Sequence, residues 1–120
     1  MNAASVRATE IRVRRAEGML EIAFDDGSRF TYPAELLRVE SPSADVQGHG
    51  PSQKVTPAGK RSVAITAVEP VGNYAIRITF DDGHSTGIYS WTDLHDRFGT
   101  GQEKLWNDYL RRIAEQGLER

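Results

Sequence analysis

The chain has 120 residues, no cysteine, and 15 lysines plus arginines against 17 aspartates plus glutamates, a net charge of −2. That length suits one domain that buries a core of its own. The missing cysteines exclude disulfides, thiolate metal sites and cysteine nucleophiles and suit a reducing cytoplasm, and the slightly acidic balance argues against a nucleic-acid binder held by phosphate contacts.

The opening "MNAASVRATEIRVRR" has no apolar core of the kind a secretory signal needs, and residues 1–9 read as flexible. The longest apolar stretch, near "VAITAV", is far short of the roughly 20 residues of a membrane helix, so no membrane association is expected. Ile11 and Val13 begin a strand whose alternate residues, Arg12 and Arg14, form its wet face. Leu20, Ile22 and Phe24 mark a second strand. Asp25-Asp26-Gly27 is a hairpin signal, because glycine accepts the positive φ of such turns. "SRFTY" returns as a third strand, Pro33 suits the start of a helix, and "AELLR" forms a short one with Leu36 and Leu37 inward.

The second half repeats the plan. "SVAITAVEP" is a strand, "VGN" a turn, "YAIRITF" a strand with Ile76, Ile78 and Phe80 on one face, "DDG" a second corner, "HSTGIY" the return and "WTDLHDRF" a short helix. Phe80 lies 56 positions after Phe24 (80 − 24), and Tyr32 and Tyr89 follow the two corners at nearly equal distance. Two β-β-β-α halves result, duplicated or convergent. The chain ends in a helix, with Leu105, Trp106, Tyr109, Leu110 and Ile113 forming an apolar stripe that reads as core and Gly117 a plausible stop. The fold class is therefore α+β: a mainly antiparallel sheet of about six strands in two pseudo-repeated hairpin and short-helix halves, with a C-terminal amphipathic helix, all one domain over residues 1–120.

Between the halves runs "SPSADVQGHGPSQKVTPAGKR", with three prolines, three glycines and few large apolar residues. Loops this long are functional or disordered, so residues 47–60 read as flexible and the segment is where function is sought.

Chemistry is sparse. Asp25, Asp26, Asp81 and Asp82 read as turn residues, since aspartate bonds its own backbone at corners. His49, His84 and His95 show none of the usual metal spacings, and His95, beside Asp93 and Asp96, reads as solvated. Ser41 and Ser43 lack a nucleophile-elbow pattern, and "AGKRS" lacks the glycine spacing of a phosphate-binding loop. Arg38, a planar fork of donors, reads as a pin for the start of the long loop.

The stretches "LLRVESPSADVQGHG" and "EPVGNYAIRITFDDGHSTGIYSW" resemble the small bacterial domain of unknown function (DUF971) related to the N-terminal domain of gamma-butyrobetaine hydroxylase, over about residues 11–112. The resemblance implies an accessory role: in the hydroxylases the oxygenase chemistry belongs to a separate iron- and 2-oxoglutarate-dependent barrel, and related domains accompany Mrp-type P-loop ATPases that carry iron–sulfur clusters. In the hydroxylase version a Cys-Pro-Cys-x-x-Cys run and the histidine after Asp-Gly hold zinc. Here those cysteine positions are Ser41, Ser43 and Val46, while Leu37, Arg38, Pro42 and His84 remain. Serine hydroxyls are poor zinc ligands and valine is none, so a place is carried over without a metal or other cofactor.

The expectation is a non-catalytic accessory or protein-interaction domain with an unidentified protein partner, linked to iron–sulfur or 2-oxoglutarate oxygenase proteins. The alternative is a small-ligand or metal-binding protein using residues 41–50 and His84. The residues singled out are Arg38, Ser41, Ser43, His49 and His84, and none is read as catalytic.

Overall fold

The structure, a computed structural model, describes residues 6–48 and 54–120. The first half comprises β1 (Ala8–Arg14), a 3-10 turn (Arg15–Glu17), β2 (Met19–Phe24), β3 (Arg29–Pro33), α1 (Ala34–Val39) and the single turn α2 (Ala44–Gln47). The second comprises β4 (Ile65–Val71), β5 (Ala75–Phe80), β6 (Ile88–Ser90) and α3 (Trp91–His95), which runs into a π-helical turn, Asp96–Thr100, before α4 (Gln102–Glu115). The fold is α+β, as the periodicities predict. Its six strands form two three-stranded antiparallel sheets, β1-β2-β3 and β4-β5-β6, instead of one continuous sheet. Each half closes on itself through short connections, so strand pairing stays local.

The two FDDG corners are superposable in their bonding. In the first, the Phe24 N–H donates to Ser28 O (2.8 Å) and Gly27 N–H to Phe24 O (3.1 Å); in the second, Phe80 N–H donates to His84 O (2.9 Å) and Gly83 N–H to Phe80 O (3.0 Å). The glycines have φ of 88° and 91°, values that side-chain-bearing residues rarely adopt. Asp25 N–H donates to Arg7 O and Asp81 N–H to Ala64 O, each at 2.9 Å. Both sheets slip register at the same place, between Ala8 and Glu10 and between Ile65 and Ala67.

The halves also hold each other reciprocally. Tyr32 donates its hydroxyl to Leu94 O (2.7 Å) and Tyr89 donates its own to Leu37 O (2.5 Å). Leu94 follows Leu37 by 57 positions (94 − 37), as Tyr89 follows Tyr32 (89 − 32), so each tyrosine grips the other half's helix at the equivalent carbonyl. This is a pseudo-twofold arrangement. Its interior is one cluster in which Leu20, Ile22, Phe24, Leu36 and Leu37 meet Ile76, Ile78, Phe80, Leu94 and Phe98. From α4 the stripe contributes Tyr109 and Ile113 as buried residues, with Leu105, Trp106 and Leu110 packed against the cluster, as core residues of an amphipathic helix should be.

Three expectations change. Of residues 1–9, Ala8 and Thr9 belong to β1, with Ala8 opposite Phe24. β1 has no dry face: Ile11 and Val13 are 37% and 41% exposed. The flexible span expected over 47–60 is tied down wherever it is described. Gln47 ends α2, Val55 N–H donates to Val46 O (2.7 Å), Lys54 reaches Glu40 (2.8 Å), and Thr56 is buried and accepts from Arg112 Nε (3.0 Å). No helix among the described residues is long and apolar enough to cross a membrane.

Candidate functional site

The site sits where the pseudo-symmetry breaks. The chain leaves α1 through Glu40-Ser41-Pro42-Ser43 and enters α2. That turn is anchored by Gln47, whose side-chain N–H donates to Ser41 O (2.9 Å), and by the N–H groups of Val46 and Gln47, which donate to Ser43 O. The second FDDG corner presents His84 to this turn. His84 Nε2 lies 2.9 Å from Ser41 Oγ and 3.4 Å from Ser43 Oγ. Ser41 is fully buried, and its Oγ accepts from Ser43 N–H (3.3 Å) while sharing a hydrogen bond with His84 Nε2. Burial, with Arg38 nearby, holds the His84 pKa below its ordinary value, consistent with a neutral ring.

Gly87 makes room for this. A Cβ there would collide with Ser41 Oγ and press on the Tyr89 ring. The equivalent residue in the other half is Phe30 (87 − 30 = 57), whose ring lies 5.6 Å from the His95 ring and 6.1 Å from Phe24. One corner is filled by an aromatic ring and the other by two hydroxyls and an imidazole.

The second aspartate of each corner is gripped by the other half's helix. Asp82 accepts from Arg38 Nε and from Lys60 Nζ, both at 2.7 Å, and from the His84 backbone N–H at 3.0 Å. Burial opposes ionisation of this carboxyl, but those donors outweigh it and hold its pKa well below the usual carboxylate range. Asp26 meets His95, which sits between Asp26 Oδ2 (2.7 Å) and Asp96 Oδ1 (2.6 Å). His95 occupies the position of Arg38 (95 − 38 = 57). Asp96, then Asp26, raise the His95 pKa against partial burial, and the Ser28 hydroxyl and N–H, with His95, lower that of Asp26 to about 2.

Of the five residues singled out, four converge: Arg38, Ser41, Ser43 and His84. His49 lies outside the described residues. Two readings are corrected. His95 is not a solvated residue, because two carboxylates and the rings of Phe24 and Phe30 enclose it. Asp26 and Asp82 do more than turn the chain, since both tie the halves together. Among the described residues Arg38 hydrogen-bonds Asp82 at the second corner and no loop carbonyl, and its Nη1 is buried without a hydrogen-bond partner.

Sequence reasoning missed Glu40. It is completely buried and pairs with Lys54 (2.8 Å), Arg97 (2.7 Å) and Arg112. Glu40 and Arg97 occupy equivalent positions (97 − 40 = 57), so this pair spans the pseudo-twofold axis. No local spacing announces it, because the three cations come from distant segments.

The site does not fit a zinc ion. Two neutral hydroxyls and buried Val46 stand where thiolates would be needed, and Ser41 and His84 satisfy each other. Among the described residues no group of three or more His, Asp or Glu is arranged to hold a metal. Nor is Ser41–His84 a nucleophile–base pair open to substrate. Ser41 is buried, and the described hydrogen bonds of the His84 ring fall on Nε2 alone, leaving no carboxylate to orient it.

The sequence model described as gamma-butyrobetaine hydroxylase-like, N-terminal, matches residues 11–95. No curated protein matches the chain. Among solved structures, one determined in solution by NMR is 44% identical with a TM-score of 0.83, covering 100% of this chain and 89% of that one. A second NMR structure is 40% identical with a TM-score of 0.80, covering 95% and 89%. A crystal structure of a DUF971-family protein of unknown function from Acidithiobacillus ferrooxidans is 35% identical with a TM-score of 0.61, covering 73% of this chain and 88% of that one. The model match over most of the chain and the shared fold of relatives 35–44% identical agree: the chain belongs to the gamma-butyrobetaine hydroxylase-like N-terminal domain family.

Proposed function

We propose that the domain is a non-catalytic, cytoplasmic accessory module that docks a partner protein. The observation that carries this reading is an apolar face along β1 and β4. Ile11, Val13, Val68, Pro70, Ile76 and Trp91 line a groove of about 430 Å³, and Trp91 continues it towards Tyr74, which is 61% exposed. β1 and β4 are edge strands of separate sheets. Large apolar residues clustered at such edges are the mark of an interaction surface, since a solitary domain gains nothing by wetting them. Iron–sulfur and 2-oxoglutarate oxygenase proteins are the partner classes to examine first, given the family.

The test is a photo-crosslinking amino acid at Tyr74 in the native cell. The reading expects one defined adduct that Val13→Asp removes and His84→Ala preserves. Diffuse labelling, or an adduct indifferent to Val13→Asp, refutes it. A second reading, a small-ligand site at Arg38, Ser43 and His84, rests on the unpartnered Arg38 Nη1. Titration of the His84 ring by NMR with inorganic phosphate and with Zn²⁺ tests it. Saturable shifts confined to His84 and its neighbours support it, and flat spectra with both reject it.

A further inference from the structure

The pseudo-symmetry provides two equivalent clefts, and they are not lined alike. One, of about 550 Å³, lies by Arg7, Asn73, Tyr74, Ser90 and Thr92. The other, of about 510 Å³, is lined by Arg15, Arg61, Arg120, Trp106, Met19 and Pro33, among others. Pro33 corresponds to Ser90 (90 − 33 = 57) and Glu35 to Thr92 (92 − 35 = 57), so these are the same cleft in the two halves. Arg15 corresponds to Gly72 (72 − 15 = 57), so the fold does not require a cation there.

The acidic residues of the second cleft, Glu17 and Glu35, are already paired. Glu17 pairs with Arg14 (3.4 Å), and Glu35 accepts from Arg120 Nε (3.0 Å) and Nη2 (2.8 Å) and from the Tyr109 hydroxyl (2.6 Å). Arg120 thereby lies with its guanidinium 5.1 Å from the Trp106 ring centroid. Arg15 and Arg61 are exposed and form no ion pair or side-chain hydrogen bond among the described residues. The result is two exposed guanidinium groups with no hydrogen-bonded partner among the described residues, Arg61 acting on the Glu35 carboxylate only through its charge, in a cleft that indole, methionine and proline also line. Its volume falls within the range of small-molecule sites, roughly 300–1,000 Å³.

We propose that this cleft binds a small organic oxyanion, with its phosphate or carboxylate group between Arg15 and Arg61 and its apolar body against Met19, Pro33 and Trp106. Guanidinium forks suit planar carboxylate and phosphate oxygens, and the apolar wall supplies contact that a bare inorganic anion cannot use. A phosphate ester and a carboxylic acid share this chemistry, so both are probed. The site is separate from the apolar face along β1 and β4 and from the Ser41–His84 cluster.

The experiment uses the full chain carrying Trp91→Phe, which leaves Trp106 as the single tryptophan reporter. Phenyl phosphate, benzoate and inorganic phosphate are titrated by fluorescence and by NMR. The proposal expects saturable change at Trp106 with phenyl phosphate or benzoate, and weaker binding of inorganic phosphate. Arg61→Gln and Arg15→Gln should each weaken binding by about tenfold or more, while Arg7→Gln, in the equivalent cleft, should leave it unchanged. Both test arginines are exposed, so melting curves matching the parent keep the comparison valid. Linear, non-saturating shifts, binding indifferent to both substitutions, or equal sensitivity to Arg7→Gln would overturn it.

Discussion

The two halves of this domain share a frame and differ in what they do with it. The frame is reproduced bond for bond: the corner hydrogen bonds, the register slips, and the tyrosine hydroxyls crossing to Leu94 and Leu37. The first corner is filled by Phe30 and latched by His95 on Asp26; the second replaces the ring with Gly87, admits Ser41, Ser43 and His84, and is latched by Arg38 and Lys60 on Asp82. A group repeated in both halves serves the fold, whereas one present in a single half has been freed from that duty. By this criterion the His84 cluster and the arginine-lined cleft carry the domain's individuality, and the shared FDDG turns do not.

The comparison breaks first if the frame is unequal. Phe24→Ala and Phe80→Ala should each cost about 3–5 kcal/mol in denaturant unfolding, since both rings are nearly inaccessible. A cost confined to one would deny the equivalence. Glu40→Gln attacks the axis itself. It neutralises a completely buried carboxylate and leaves Arg97, Arg112 and Lys54 uncompensated, a loss of about 3–5 kcal/mol by analogy with other broken buried pairs. An unchanged midpoint would mean that the ion cluster is dispensable.

Tyr32→Phe and Tyr89→Phe should cost about 1–3 kcal/mol each, because each strands a carbonyl inside the other half. Asp82→Asn should cost more than Asp25→Asn. The former weakens the hold on Arg38 and Lys60, while Asp25 has only an exposed bond to Arg7 N–H (3.3 Å). Equal, negligible costs would restore the reading of Asp82 as a plain turn residue.

The smallest effects concern pH, and they should have opposite signs at the two corners. The His95 pKa is raised above its ordinary 6.5 in the folded protein. Its stabilisation is therefore complete below the unfolded pKa, about 6.5, and is lost as pH rises through the folded value. The His84 pKa is lowered. The unfolded chain then takes up a proton first, so His84 costs stability as pH falls below about 6.5. Melting temperatures of His95→Gln and His84→Gln between about pH 5 and 8 check this: relative to the parent, the first should lose most at the acid end and the second should gain there. Parallel curves would contradict it.

Much of the frame was legible because it is local. Alternation in Leu20-x-Ile22-x-Phe24 and Ile76-x-Ile78-x-Phe80, the Asp-Gly corners and the stripe on α4 are properties of neighbouring residues, and the strands and helix follow from them. Even the pseudo-symmetry showed, as equal spacings. That Ser41, Ser43 and His84 would lie together was legible too, from the motif that the sequence resembles. What the sequence could not determine is who meets whom across the axis. That Asp26 reaches His95 and Asp82 reaches Arg38, that Glu40 gathers cations from 54, 97 and 112, and that Ile11 stays wet while alternating like a core residue all depend on how the two sheets and α4 come together. Periodicity assigns a residue to a face of its element. Which faces are covered, and which charges are thereby forced to find partners, is decided only when the elements are packed in three dimensions.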